Sequence, residues 1–323
     1  MPFLSSSTYQ PPYGITNCHL QTILPSMFRK VKVKPYERER INTPDDDFID
    51  LDWLTQNKAN KVVIVCHGLE GDAHRPYVKG MARIFYQNGW TACGYNYRGC
   101  SGENNKQIRG YHSGATDDLQ LVINHVLEKG FTEIVLVGFS LGGNLVLKYV
   151  GEQSSNIHPA IKKVVAFAAP CELAKSGAFI HKPSNWIYLR RFMRKLRKKV
   201  RFKKAQLIEA GVDYDTLSKA KTFPAFDDIF TGPVHGFKDA MDYYTKCSAK
   251  QFLPHIKIPT LLVSAEDDPF LSPECFPIEE AKQSDFFHFE MPKHGGHMGF
   301  LTFGQNGHFW SDLRALKFVQ DEQ

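Results

Sequence analysis

The residues Gly138-Phe139-Ser140-Leu141-Gly142, with Gly143 following, stand directly after an apolar run and directly before a helical pattern from Asn144 to Tyr149. A serine on a tight strand-to-helix turn is forced outward, and flanking glycines let the backbone pack closely around it. The helix N-terminus beneath would offer free N–H groups and the positive end of its dipole to a developing oxyanion. The five letters recur by chance in many chains. With a strand before and a helix after, they read as a nucleophile rather than as a glycine-rich turn.

A serine nucleophile needs a base, and the base needs an orienting carboxylate. For a serine on such a turn the chain order is serine, then an acid after a later strand, then a histidine near the end. The run 259–265 leads into Ser264-Ala-Glu-Asp-Asp-Pro269, and the loop after 286–291 carries His294-Gly-Gly-His-Met-Gly299. Glu266, Asp267 and Asp268 are the candidate acids; His294 and His297 are the candidate bases. Loop geometry alone does not separate them. The later acid has more reach out of the strand, and Gly295-Gly296 would present His297 on a closely packed turn. A second oxyanion donor is expected from the loop after an early strand. Here 62–66 runs into His67-Gly68-Leu69-Glu70-Gly71, so the donors are assigned to the backbone N–H groups of Leu69 and Leu141.

Other chemistries find no pattern. The thirteen histidines lack the HExxH or paired Cys/His spacing of zinc sites, so no metal is expected. No GxGxxG follows the first strand and no GxxxxGK[ST] is present, so no nucleotide or other cofactor is expected either.

The elements that must hold these residues are short apolar runs alternating with helical patterns. Lys61–Cys66, Trp90–Tyr95, Glu133–Gly138, Lys163–Ala169, Pro259–Ala265 and Phe286–Met291 read as buried strands. Helical patterns over 76–87 and 115–128 lie between them, which implies βαβ units and a mostly parallel sheet. Val31–Arg40 and Phe48–Leu54 are expected to pair as antiparallel edge strands. The expected organisation is an N-terminal arm over 1–30, a first core piece over 31–171, a mainly helical cap inserted over 172–250, and a second core piece over 251–323. Asp117 and Asp118, near a helix start, are expected as capping or dipole residues.

The chain has 323 residues, 42% hydrophobic and 23% charged, which excludes long disorder, collagen and coiled coil. No stretch approaches about 18 uninterrupted apolar residues, and the N-terminus lacks the pattern of a signal peptide, so a cytoplasmic protein is expected. Seven cysteines without a CxxC pair read as free thiols. The net charge of +6 is concentrated. Residues 190–204 hold ten Lys/Arg and no acid, while the rest of the chain carries 30 basic and 34 acidic residues, a net −4. Leu189, Phe192, Met193, Leu196 and Val200 recur there at helical spacing. The segment reads either as a cap helix with its charges facing water or acidic loops, or as a contact for anionic membrane or acidic substrate. No motif supports nucleic acid.

Asn17-Cys-His-Leu-Gln-Thr22, His67-Gly-Leu-Glu-Gly71, Asn96-Tyr-Arg-Gly-Cys-Ser-Gly102, Tyr111-His-Ser-Gly114, Gly138-Phe-Ser-Leu-Gly-Gly-Asn144, Phe226-Asp-Asp228, Gly236-Phe237, Asp242-Tyr-Tyr244, Asp267-Asp-Pro-Phe270 and Gly295-Gly-His-Met-Gly-Phe300 together carry a resemblance over most of the chain. The chain is similar to the YheT-like branch of the α/β-hydrolase superfamily. That branch also contains yeast medium-chain ethyl ester synthases and several mammalian membrane-anchored lipid hydrolases. The resemblance implies an α/β-hydrolase fold with a cap between late strands. It implies a charge relay of Ser140, Asp268 and His297, and carboxylic ester hydrolysis, sometimes acyl transfer to an alcohol. The mammalian members carry an N-terminal membrane anchor and this chain starts close to the family core, so the expectation is a soluble, bacterial-type member. Phospholipid specificity is not carried over. Arg98 and His112 fall in matching motifs without a role read from the sequence.

The expected activity is therefore that of a serine esterase on a small-molecule ester with an apolar acyl group. Two other readings stand beside it: an ester synthase or acyltransferase using an alcohol as acceptor, and a membrane-surface binding protein in which 190–204 acts and catalysis is vestigial.

Overall fold

Among the described residues the apolar runs, with the polar edge segment 37–42, form one sheet of nine strands: β1 (Phe3–Leu4), β2 (Glu37–Asn42), β3 (Phe48–Leu54), β4 (Lys61–Cys66), β5 (Thr91–Asn96), β6 (Glu133–Phe139), β7 (Ile161–Phe167), β8 (Thr260–Val263) and β9 (Phe287–Glu290). Their spatial order is β1-β9-β8-β7-β6-β4-β5-β3-β2, parallel except for β3, which is antiparallel to both β2 and β5. The computed structural model describes residues 3–4, 6–303 and 306–321. Residues 1, 2, 5, 304, 305, 322 and 323, which fall in the expected arm and second core piece, lie outside the described residues.

Strand alternation explains the continuous apolar runs. In β4, Val62 and Ile64 enter one hydrophobic core while Val63 and Val65 enter another; Ile134 and Leu136 of β6 divide from Val135 and Val137 in the same way. Side chains of successive residues point to opposite faces, so a sheet buried on both sides needs apolar residues throughout. The helices α1 (Cys18–Phe28), α2 (Pro76–Gln87), α3 (Thr116–Glu128) and α4 (Leu141–Gln153) precede β7. Between β7 and β8 come α5 (Leu173–Phe179), α6 (Trp186–Phe202), α7 (Lys204–Glu209), α8 (Tyr214–Lys219), α9 (Phe223–Phe226), α10 (Gly232–Val234) and α11 (Ala240–Cys247), with a π-helical turn over Asp227–Thr231. No strand occurs in this stretch. The short α12 (Ile278–Lys282) precedes β9, and α13 (Trp310–Gln320) ends the described chain. No helix among the described residues is long and apolar enough to cross a membrane.

Two local expectations differ from the structure, and a third is met in one of its two forms. The edge strand expected from Val31 begins only at Glu37. Pro35 has no N–H for a ladder, and Val33 and Tyr36 pack into the core beneath instead. The arm, in which no periodicity was legible, contains α1. Asn17 caps it by accepting from the His19 and Leu20 amides, and Pro25 inside the helix conceals it from pattern reading. Asp117 and Asp118 lie in the first turn of α3, as the dipole alternative expects, and neither caps it. Asp118 forms a buried bidentate pair with Arg98, and Asp117 accepts from Arg109.

Candidate active site

Ser140 sits between β6 and α4 with φ 53° and ψ −118°, a left-handed conformation that non-glycine residues rarely adopt. Strain of this kind costs about 1–3 kcal/mol and persists only where its surroundings enforce it. Here they do. The Ser140 amide donates to Phe167 O at the end of β7 (2.8 Å), and a Cβ on Gly142 would collide with the carbonyls of Cys66 and His67. The first turn of α4 can therefore lie directly against the end of β4 only with glycine at 142.

The sequence left three acids and two bases open, and the geometry separates them. Ser140 Oγ lies 2.9 Å from His297 Nε2, and His297 Nδ1 lies 2.9 and 3.1 Å from the two oxygens of Asp268. Asp268 and His297 are buried, 3% and 5% exposed, so water does not compete for these bonds. With Nδ1–H donating to the carboxylate, Nε2 is left as acceptor for the Ser140 hydroxyl. Asp267 belongs to a neighbouring pair: it accepts from the Gly296 amide (2.9 Å) and lies 3.2 Å from His294 Nδ1. Burial raises the Asp267 pKa, against the lowering effect of those two partners. Glu266 is exposed.

The His297 loop is held by the arm. The His297 amide donates to Thr22 Oγ1 (2.9 Å), whose own hydroxyl donates to Cys18 O (2.7 Å). Gln21 is fully buried and accepts from Tyr9 Oη and from the Leu301 amide. A Cβ on Gly299 would collide with Gln21 O, so α1 and the loop touch backbone to backbone. Phe270 covers His297, with ring centroids 4.2 Å apart.

Leu69 and Leu141 both line the same cavity as Ser140 and His297. Leu141 is the first helical residue of α4, so its N–H has no partner within the helix. In the 67–71 loop the Gly68 amide donates to Tyr77 Oη, the Glu70 amide to Tyr111 Oη and the Gly71 amide to Gly68 O. The Leu69 amide has no hydrogen-bond partner among the described residues. Burial drives the His67 pKa down to about 3. The neutral ring donates from Nδ1 to Gly68 O (2.7 Å) and accepts the Tyr97 amide at Nε2, which shapes the loop from beneath.

A set of residues around Glu70 was not anticipated. Glu70 has φ 55°, and its carboxylate accepts from Tyr111 Oη (2.8 Å) and from Lys199 Nζ of α6 (2.8 Å). Its carbonyl accepts from Lys195 Nζ (2.8 Å). Burial lowers the Lys199 pKa, but Cys100 and Glu70 beside it outweigh that and raise it. Lys203 bonds to Asn105 Oδ1 (2.7 Å) and to the carbonyl of Gln107, and burial lowers its pKa to about 8. Thus three lysines of the basic segment, at i, i+4 and i+8, face the core rather than water. Glu70 and Tyr111 lie within motifs that the sequence had flagged. Lys199 was hidden in a run of like charges.

The cavity over Ser140 has a volume of about 180 Å³. Leu173, Ile180, Phe192, Leu196, Phe226 and Leu271 supply much of its apolar wall. Asp227, on the π-helical turn, also lines it, accepting from Tyr244 Oη (2.6 Å) and Thr231 Oγ1 (2.5 Å). Burial pushes Asp227 up to about 6. Arg98 at the rim is fully engaged by Asp45, Asp47 and Asp118. His112 lies among the rings of His235, Phe237 and Tyr243, and burial lowers its pKa to about 3. Both are structural supports of the cavity wall. Among the described residues, no group of three or more His, Cys, Asp or Glu side chains is placed to hold a metal ion.

Comparison with known proteins follows the same lines. The family model of the alpha/beta hydrolase fold matches residues 61–303. The chain is 35% identical over 305 residues to the protein named "Putative esterase YheT" of Escherichia coli K12, covering 93% of this chain and 88% of that one. It is 29% identical over 306 residues to phospholipase ABHD3 of Mus musculus, covering 92% and 74% respectively. Among solved structures, the esterase Pf2001 of Pyrococcus furiosus superposes with a TM-score of 0.58 at 17% identity, covering 90% of this chain and 95% of that one. At that identity the likeness is one of fold.

Proposed function

The chain belongs to the YheT-like branch of the α/β-hydrolase fold family, and from that premise we propose that it is a serine carboxylic ester hydrolase acting through an acyl-enzyme on esters with an apolar acyl group. The observation that carries this reading is the unbroken relay beneath the cavity: Ser140 Oγ to His297 Nε2 at 2.9 Å, and His297 Nδ1 to Asp268 at 2.9 Å.

In this mechanism Ser140 Oγ attacks the ester carbonyl as its proton passes to His297 Nε2. Asp268 fixes the tautomer of the ring and stabilises the imidazolium that forms. The Leu69 and Leu141 amides receive the negative charge that develops on the carbonyl oxygen; one such donor is worth about 10²–10³ in rate. Collapse expels the alcohol, which takes the proton back from His297. Water, deprotonated by the same ring, then attacks the acyl carbon; collapse breaks the bond to Ser140 Oγ, which takes the proton back from His297, and the acid leaves. The lining of the cavity supports an alkyl chain as the acyl group. A cavity of about 150 Å³ accommodates a benzene ring, so about 180 Å³ suits a chain of roughly six to eight carbons. The names of the esterase and phospholipase relatives agree with an acyl ester as substrate.

The test is labelling with a fluorophosphonate, mapped by mass spectrometry, beside a p-nitrophenyl ester series of rising chain length. The adduct is expected on Ser140, and turnover is expected to peak at medium chains. Ser140→Ala should abolish labelling and lower kcat by at least about 10⁴, and Asp268→Asn by about 10⁴ through the wrong tautomer. Ester turnover surviving in folded Ser140→Ala would sink the proposal.

A further inference from the structure

The ten charges of 190–204 divide by direction. Lys195, Lys199 and Lys203 turn inward onto the core. Arg197 bonds to Ala220 O. The remaining six, Arg190, Arg191, Arg194, Lys198, Arg201 and Lys204, are all exposed. None of these six forms an ion pair among the described residues, although the rest of the chain is acid-rich. At about 100° per residue, Arg190, Arg191, Arg194, Lys198 and Arg201 fall within an arc of roughly 100° on one face of α6.

That face also carries large apolar groups. Ile187 lies within the arc, and Trp186 and Phe202 bracket it; they are 54%, 56% and 64% exposed. Trp53, Trp90 and Trp310 are buried, so Trp186 is the one exposed tryptophan of the chain's four. Exposed Trp, Ile and Phe beside unpaired arginines do not suit a helix that simply faces water. The apolar end of α6 also adjoins the reaction centre. Tyr188 meets Phe270 edge-on at 4.7 Å, and Phe270 covers His297. On its other side Tyr188 stacks on His19 of α1 and hydrogen-bonds to it.

We infer that the outer face of α6 is a docking surface for an anionic lipid interface. The arginines and lysines would lie at the level of the phosphates, and Trp186 and Ile187 would enter the acyl boundary beside the cavity. A helix of 17 residues, about 25 Å long, with a cationic face and aromatic ends has the form of one lying in the plane of a membrane. Nucleic acid would use the cations through its phosphates but leaves the apolar ends without a role. The inference rests on surface chemistry and is independent of the proposed catalysis.

The test is co-sedimentation of the full chain with vesicles of phosphatidylcholine, alone and mixed with phosphatidylglycerol. Binding is expected only to the mixed vesicles and should be lost in high salt, as the Debye length contracts. Arg190→Gln/Arg191→Gln/Arg194→Gln/Lys198→Gln should lower partitioning by several hundredfold, about 600-fold at roughly fivefold per charge near an anionic surface. Trp186→Ser/Ile187→Ser should weaken binding while leaving its salt dependence. Both variants should melt as the wild type does. In the unaltered protein the emission of Trp186 should shift to the blue on binding and be quenched by brominated acyl chains, a readout that needs no variant. Undiminished binding by the charge variant, no binding by the wild type, or retention on duplex RNA without retention on vesicles would overturn the inference. So would a dimer in solution that shields Trp186 from acrylamide.

Discussion

At the scale of single residues, the proposed mechanism makes a strained glutamate, Glu70, a positioning residue beside the site. Glu70 follows the proposed oxyanion donor directly, and its backbone is left-handed, with φ 55°. Tyr111 holds both the Glu70 amide and its carboxylate, and Lys199 neutralises that carboxylate from the cap. Removing either partner leaves a largely buried charge or hydroxyl mismatched, and the loop can relax its strain by turning the Leu69 amide away. Glu70→Gln and Lys199→Met should each lower kcat about tenfold, a fraction of the loss expected for a missing oxyanion donor, with KM little changed. The double variant should be no worse than the poorer single one, because the two residues act as one unit. Additive losses, or a change confined to KM, would show that the pair serves substrate binding instead. Ser140 was legible in the sequence from a strand end, a glycine turn and a helix start, and chain order narrowed its partners to three acids and two bases; Asp268 and His297 were singled out only by the family resemblance. The Glu70 contacts were not legible, because Tyr111 lies 41 residues away and the lysines of α6, beginning with Lys195 at 125, lie further still and become neighbours only in the folded chain.

At the scale of elements, α1 is the piece the sequence concealed and the site most needs. Pro25 hides its period, yet Asn17, Gln21 and Thr22 each do something specific: cap the helix, fill a buried polar slot, and receive the His297 amide. The motif Asn17–Thr22 was therefore visible as a motif while its purpose was not, since its target lies 275 residues on. The buried strands were the opposite case. Their apolar runs follow from burial on both faces and needed no tertiary knowledge to locate. Thr22→Val keeps the volume of the side chain and removes the acceptor of the His297 amide, leaving a part-buried N–H unpaired at a cost of about 1–3 kcal/mol. The loop then shifts to find another partner. We expect kcat to fall by one to two orders of magnitude and Thr22→Ser to restore it. Unchanged kcat in Thr22→Val would mean that Asp268 and Phe270 suffice to hold the ring.

At the scale of the whole molecule, the cavity is a seam between two bodies of unequal cohesion. The sheet has a continuous core on each face, whereas α6 to α9 close around a small cluster of Met193, Val200, Leu207, Leu217 and Phe226. The stretch between β7 and β8 was recognisable in the sequence as the place where strand rhythm stops, but a helical pattern does not reveal which face turns inward. Here inward-facing lysines and the cavity wall join the two bodies. Few buried apolar contacts imply local opening at modest free energy, so the cap should exchange its amides faster than the sheet. Phe192 and Leu196 of α6 and Phe226 of α9 line the cavity together with Leu141 on the core side, so under the proposed function an acyl group seated there would add apolar contact across the seam. At about 0.8 kcal/mol per buried methylene, a phosphonate on Ser140 bearing an octyl chain should raise the melting temperature by at least about 5 °C over one bearing a methyl group. Hydrogen exchange should slow in α6 and α9 with the octyl adduct only. If both adducts gave the same melting temperature and slowed exchange only around Ser140, the chain would not lie between cap and core, and the acyl pocket would have to be sought elsewhere in the molecule.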